Sequence, residues 1–211
     1  MRTKRLSRCK GCGLSLNLCL CTSLPELSAV TRIVVLAHRV ELAKSTNTGR
    51  LATRMLGASA ELVQSHEPWQ SSHAPGETVV LFPTDDALPL EELAGEVRCV
   101  IVPDGTWAQA RRLARRHPAC ASLRKVRLRA TLRSIYTLRR SHLENGLCTL
   151  EAVAETLRIL EADSCAEPML AAFAQWVERA LLVRAGAHDM RAFRSQLSDR
   201  EQPAPLDRHE I

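Results

Sequence analysis

Asp104-Gly105-Thr106-Trp107 brings a carboxylate and an indole together in one turn. The run before it, from Val97 to Pro103, is apolar and β-branched and reads as a buried strand. The run after it, Ala108 to Arg116, has no breaker before His117-Pro118 and reads as a helix. Ligands of open α/β sheets bind at the carboxyl ends of strands, where helix N-termini offer free N–H groups. An acid at that point can act as a base, and the indole beside it as a stacking platform. Thr106 and Gln109 also have capping-box spacing, so the same residues read equally as a plain helix start.

The second constellation is made of thiols. Of eight cysteines, four lie in Cys9-Lys10-Gly11-Cys12-Gly13 and Cys19-Leu20-Cys21, while Cys99, Cys120, Cys148 and Cys165 are far apart. Clustered cysteines in a reducing compartment bind metal more often than they form disulfides. Cys-x₂-Cys followed by glycine is a thiolate knuckle, whose turn lets backbone N–H groups donate to sulfur. Gly11 and Gly13 permit the required angles. With Cys19 and Cys21 the set offers four thiolates, which suits structural zinc in closed tetrahedral geometry; an iron–sulfur centre and no metal at all are the alternatives.

Two further polar sets stand at element junctions. His38, Glu41, Lys44, Thr46, Asn47, Thr48, Gly49 and Arg50 follow an apolar run. Asn47 or Thr48 can cap the next helix. The functional alternative is a phosphate or carboxylate grip by Lys44, Arg50 and helix N–H groups. In Gly146-Leu147-Cys148-Thr149-Leu150-Glu151-Ala152, Thr149 can cap a helix and Glu151 can complement its dipole. No histidine pattern supports Cys148 as a nucleophile.

These groups need elements to hold them. Strands are expected at Thr31 to Ala37, Ala60 to Gln64, Thr78 to Pro83, 97–103 and, as an edge strand, Arg124 to Arg129. Helices are expected at Arg50 to Leu56, near Glu91, at 107–116, from Thr149, and from about Pro168 to Val183. The expected stripes are Leu150, Val153, Ala154, Leu157 and Leu160, then Leu170, Phe173, Val177, Ala180 and Leu181. His38 to Gly49 and Arg133 to Gly146 read as loops. Strands alternating with helices argue for an α/β fold, a mainly parallel sheet with helices on both faces. The expected organisation is a zinc-binding unit over 1–28, a catalytic domain over 29–185 and a polar tail over 186–211.

The chain has 211 residues, 45% apolar but only 3% aromatic, so its core must be mostly aliphatic. No apolar run approaches the roughly 20 residues needed to cross a bilayer, and the basic start lacks the apolar segment of a signal peptide. The expectation is a soluble, cytoplasmic protein with no membrane partner. Net charge is +6. The basic residues cluster at Arg111, Arg112, Arg115 and Arg116, then Arg124, Lys125, Arg127, Arg129, Arg133, Arg139 and Arg140. Such density suggests a polyanion such as RNA, against the alternative of a solvated basic face.

Together these segments resemble the DTW-domain family over about residues 9 to 185. The residues that carry the resemblance are the N-terminal cysteines, Leu36-Ala37-His38 with Glu41, Thr46-Asn47-Thr48-Gly49-Arg50-Leu51-Ala52, Phe82-Pro83, Asp104-Gly105-Thr106-Trp107 with Gln109-Ala110-Arg111-Arg112, Tyr136 with Leu138-Arg139-Arg140, and Leu147-Cys148-Thr149-Leu150-Glu151-Ala152. The sequence departs from the family at Arg39, usually proline, and at Cys148, often serine. The resemblance implies a SPOUT-like sheet with a C-terminal trefoil knot, against the usual rule on threaded chains. It implies tRNA-uridine aminocarboxypropyltransferase activity with S-adenosylmethionine as donor. The donor would lie among Phe82-Pro83, Val102-Pro103-Asp104-Gly105-Thr106-Trp107 and Leu147-Cys148-Thr149. Asp104 would be the base, with Thr106 and Trp107 beside it. Lys44, Arg50, Arg111, Arg112, Arg115, Arg139 and Arg140 are the candidate tRNA contacts. Methyl transfer from the same donor to RNA, or RNA binding by a non-enzymatic zinc module, are the competing readings.

Overall fold

Residues 7–129, 134–138, 146–161 and 165–185 are described by a computed structural model of the chain. Six strands form one sheet: β1 (Arg32–Ala37), β2 (Ala60–Gln64), β3 (Thr78–Leu81), β4 (Leu88–Pro89), β5 (Cys99–Asp104) and β6 (Arg124–Arg127). Their order is β2-β1-β5-β3-β6-β4, and every pairing is parallel. Among the described residues the α-helices are α1 (Arg39–Leu42), α2 (Thr48–Leu56), α3 (Trp107–Arg116), α4 (Thr149–Glu161) and α5 (Ala166–Arg184).

The central strands β1, β3 and β5 are apolar along nearly their whole length because both faces are covered. Side chains alternate. Ile33, Val35, Ala37, Val79, Leu81, Val100 and Val102 join the core built with α2, α4 and α5. Val34, Leu36, Val80, Cys99 and Ile101 face the other way, onto Ala110, Leu113 and Ala114 of α3. The expected stripe of α4 is buried from Leu150 to Leu157. In α5 the buried face is turned from the expected one. It runs through Met169, Ala172, Phe173, Trp176, Val177 and Ala180, and Leu181 is 39% exposed. Burial of Trp176, which the expected stripe omits, sets that rotation.

Three local expectations change. His38 to Gly49 is not all loop, because α1 makes one turn there, capped at its start by the His38 ring. The strand from Thr78 ends at Leu81, and the two-residue β4 follows it. β6 is not the edge strand, because β4 pairs outside it. Its alternation reflects half-burial rather than an edge position. The expected knot depends on the paths of 130–133, 139–145 and 162–164, which lie outside the described residues, as do Arg139, Arg140 and the tail at 186–211. Among the described residues, no helix is long and apolar enough to cross a membrane.

The cysteine segment is seated on this body. Leu14, Leu18 and Leu20 are buried, the Trp176 indole donates to the Cys12 carbonyl at 2.7 Å, and Leu27 N–H donates to the Met55 carbonyl at 2.8 Å.

Candidate active site

The topology selects one end of the sheet. From β1 the chain leaves through α2 to β2 on one side, and from β5 it leaves through α3 to β6 on the other. β1 and β5 are neighbours, with Ala37 paired to Asp104 at their last residues. Diverging connections open a crevice beyond the carboxyl ends of such strands, the usual ligand position in open α/β sheets. A cleft of about 340 Å³, lined by Val30, Thr31, Val97, Arg98, Leu160 and Glu161, lies at the amino-terminal end instead. Glu161 already accepts from the Thr31 and Val30 N–H groups there, so its polar atoms are engaged internally.

Asp104 is buried at the crevice, 5% exposed. Its Oδ2 accepts from the Asn47 amide at 2.6 Å and its Oδ1 from the Thr149 hydroxyl at 2.5 Å. Its carbonyl accepts from His38 N–H at 2.9 Å. Three chain segments therefore meet on one residue. Asn47 has two functions, since its Oδ1 also caps α2 by accepting from Arg50 N–H at 2.7 Å. Gly49 lets α2 come close. A Cβ there would sit 2.7 Å from Val35 and 3.1 Å from the Asp104 carboxylate.

The turn after Asp104 is also a true helix start. Thr106 accepts from Gln109 N–H and the Gln109 side chain accepts from Thr106 N–H, a complete capping box worth about 1 kcal/mol to α3. Trp107 begins α3, half-buried, with its ring 5.7 Å from that of Phe82 and tilted by 58°. Phe82 is buried and Pro83 exposed, just beyond β3. Val102 and Pro103 are buried in β5, with half-buried Gly105 after them. Phe82, the 102–107 segment and half-buried Leu147, Cys148 and Thr149 thus all stand where strands end or α4 begins.

Thr149 does not cap α4. It is the first helical residue, and its hydroxyl goes to Asp104. Glu151 closes the helix start instead, accepting from Cys148 N–H at 2.8 Å. The same buried carboxylate accepts from the Ser134 hydroxyl and Ile135 N–H, each at 2.7 Å. Burial first, and then the Glu151 charge, push the Cys148 thiol well above its ordinary range, so it stays protonated. Glu151 was legible only as a helix-start residue; its two partners at 134 and 135 are fixed by tertiary approach. Tyr136 stacks beside Phe173 and Trp176 and donates from its hydroxyl to the Thr46 carbonyl at 2.8 Å.

The basic residues divide into two groups. Arg111, Arg112, Arg115 and Arg116 are exposed on α3, opposite its buried Ala110, Leu113 and Ala114. The described ones after α3, Arg124, Lys125, Arg127 and Arg129, are held by the protein. Arg124 pairs with Glu96, Arg129 with Glu91, Lys125 donates to the carbonyls of Cys120, Ala121 and Leu123, and Arg127 donates to the Ala87 carbonyl. Lys44 is paired with the fully buried Glu41, and Arg50 donates to the Leu42 carbonyl.

The sulfurs of Cys9, Cys12, Cys19 and Cys21 lie within 4.8 Å of one another. Cys9 and Cys21 are 3.5 Å apart and Cys12 and Cys19 3.7 Å, and all four are free thiols. Zinc–thiolate bonds of about 2.3 Å at tetrahedral angles place sulfurs about 3.8 Å apart, so the set fits such an ion. Although desolvation pushes it up, bonds from the Cys12 and Gly11 backbone and from neighbouring thiols bring Cys9 down to about 6. Desolvation, then the neighbouring thiols, drive Cys21 up to about 12. Four thiolates so close together need a cation between them.

The chain matches the DTW domain over residues 6–181. It is similar to three proteins called tRNA-uridine aminocarboxypropyltransferase 2. It is 31% identical to that of Drosophila melanogaster over 172 residues, 75% of this chain and 68% of that protein. It is 27% identical to that of Macaca fascicularis over 175 residues, 76% of this chain and 59% of that protein. For Mus musculus the identity is 25% over 181 residues, 79% of this chain and 61% of that protein. The chain thus spans about three fifths of the length of two of these relatives. No solved structure matches it significantly.

Proposed function

This chain belongs to the DTW-domain family, and we propose that it transfers the 3-amino-3-carboxypropyl group of S-adenosylmethionine to N3 of a uridine in tRNA. The observation that carries the reading is Asp104, buried at the switch point of the sheet and oriented by an amide and a hydroxyl from two other segments. The similar proteins called tRNA-uridine aminocarboxypropyltransferase 2 support the coarser part of this reading, aminocarboxypropyl transfer to a tRNA uridine.

In the reaction the uridine imide gives its N3 proton to the Asp104 carboxylate, and N3 attacks the methionine Cγ. The N3–Cγ bond forms as the Cγ–S bond breaks, and the electron pair goes to sulfur. Neutral methylthioadenosine leaves. The donor's sulfonium also carries a methyl group, so orientation alone decides which carbon reacts. Phe82, Pro83, Val102, Pro103, Gly105, Thr106, Trp107, Leu147, Cys148 and Thr149 form the donor pocket, and Phe82 with Trp107 offers it an aromatic wall. N3 lies on the pairing edge, so the nucleotide must be exposed or swung out of its stack. The exposed arginines of α3 hold tRNA phosphates, with Lys44, Arg50, Arg139 and Arg140 as further contacts. Cys9, Cys12, Cys19 and Cys21 hold a structural zinc that takes no part in the transfer. The fold proposed around these groups is the SPOUT-like one that the resemblance implies, with its C-terminal knot.

Donor labelled either in the methionine carboxyl or in the methyl group tests the transfer. The carboxyl label should enter bulk tRNA and the methyl label should not. Methyl label in tRNA would establish the methyltransferase reading, and neither label in tRNA, with tRNA still bound, the binding-module reading.

A further inference from the structure

Hydrogen bonds around Asp104 form a closed ring. Asp104 Oδ2 takes the Asn47 amide at 2.6 Å. Thr46, next to Asn47, takes the Tyr136 hydroxyl on its carbonyl at 2.8 Å. Tyr136 N–H donates to the Ser134 hydroxyl at 3.0 Å, and that hydroxyl donates to Glu151 at 2.7 Å. Glu151 accepts from Cys148 N–H at 2.8 Å, and Thr149, next to Cys148, returns to Asp104 Oδ1 at 2.5 Å.

We infer that Glu151 is the positioning residue of the site, a buried carboxylate that locks the 134–136 and 146–149 segments together and, around this ring, holds Asp104 from both sides. Glu151 does not touch Asp104. Its three donors include two backbone N–H groups, one in each of the segments it joins. Charge-assisted bonds in a buried place are about twice as strong as neutral ones. A carboxylate with three donors also fixes geometry better than a simple helix cap, which needs only the Cys148 bond. The remaining two bonds have no part in starting α4, and they reach a segment 16 and 17 residues away in sequence.

The catalytic part of this inference rests on the proposed transfer, but the ring itself can be measured without activity. Glu151→Gln keeps the shape and replaces one accepting oxygen with a donor. Hydrogen–deuterium exchange on the full chain should then speed up at the amides of residues 44–48, which Glu151 does not contact. In transfer assays kcat should fall about tenfold or more, with KM for tRNA unchanged. Tyr136→Phe, which keeps the stacked ring and removes the Thr46 bond, should move the same readouts in the same direction. It also decides the matter if the Glu151 variant does not fold. Unchanged exchange at 44–48 in a folded Glu151→Gln or in Tyr136→Phe would overturn the ring. Faster exchange with full kcat would overturn the positioning role. A wild-type protein that transfers nothing would sink the transfer while leaving the exchange test to decide the ring.

Discussion

A carboxylate gripped from two directions cannot rotate, and Asp104 is gripped by groups 57 residues upstream and 45 residues downstream. Asp104→Asn changes charge with almost no change in volume. If Asp104 takes the N3 proton, this variant should fold, bind donor and turn over about 10²-fold more slowly or worse. Near-normal turnover in the folded variant would leave Asp104 as a pocket-wall residue. Cys148 carries a second expectation. Its thiol is raised by burial and by Glu151. A raised value means less thiolate at any pH below it, so at pH 8 Cys148 should alkylate more slowly than a free cysteine. Peptide mass analysis after timed iodoacetamide treatment checks this, and labelling at the free-cysteine rate would contradict it. At this scale the sequence was half readable. The Asp104 turn and the Asn47 cap follow from local spacing. The bond between them depends on the Ala37–Asp104 register, which no local pattern encodes.

Elements decide which charges face outward. α3 buries Ala110, Leu113 and Ala114 at helical spacing, which forces Arg111, Arg112, Arg115 and Arg116 outward. The basic residues of β6 looked equivalent in sequence, yet carbonyls and carboxylates nearby hold them. Arg111→Ala and Arg112→Ala should each flatten the salt dependence of tRNA affinity by about one unit for each lost phosphate contact. An unchanged slope in both would place tRNA on another face. The cysteine unit is an element in the same sense. Gly13 has φ +76° and a Cβ there would lie 2.0 Å from the Ser45 carbonyl, so the knuckle abuts the segment leading to Asn47. Metal analysis should give about one zinc per chain, and the Cys9→Ser, Cys12→Ser double variant should lose it. Unchanged metal content in that variant would refute the site. The knuckle spacing was plain in the sequence, but its seat on Trp176 and Ser45 was not, because both contacts are long-range and the Trp176 one joins opposite ends of the chain.

For the whole molecule, alternation of apolar strands with helices predicted a mainly parallel α/β sheet, and the described strands of the sheet all pair in parallel. Strand order was not legible, since β5 inserts between β1 and β3 only through long-range pairing. That insertion makes the switch point and so creates the site. The pieces then agree: an acid and an aromatic wall at the crevice, a helix of exposed arginines, and a four-thiolate unit tied to both α5 and the Asn47 segment. All are compatible with the proposed transfer to a uridine of tRNA. The most direct test is to incubate the purified chain with bulk tRNA and S-adenosylmethionine, digest the RNA and weigh its nucleosides. The expected result is uridine heavier by one 3-amino-3-carboxypropyl group, with methylthioadenosine released in equal amount. Methylated nucleoside with S-adenosylhomocysteine, or unchanged tRNA with intact donor, would contradict the account.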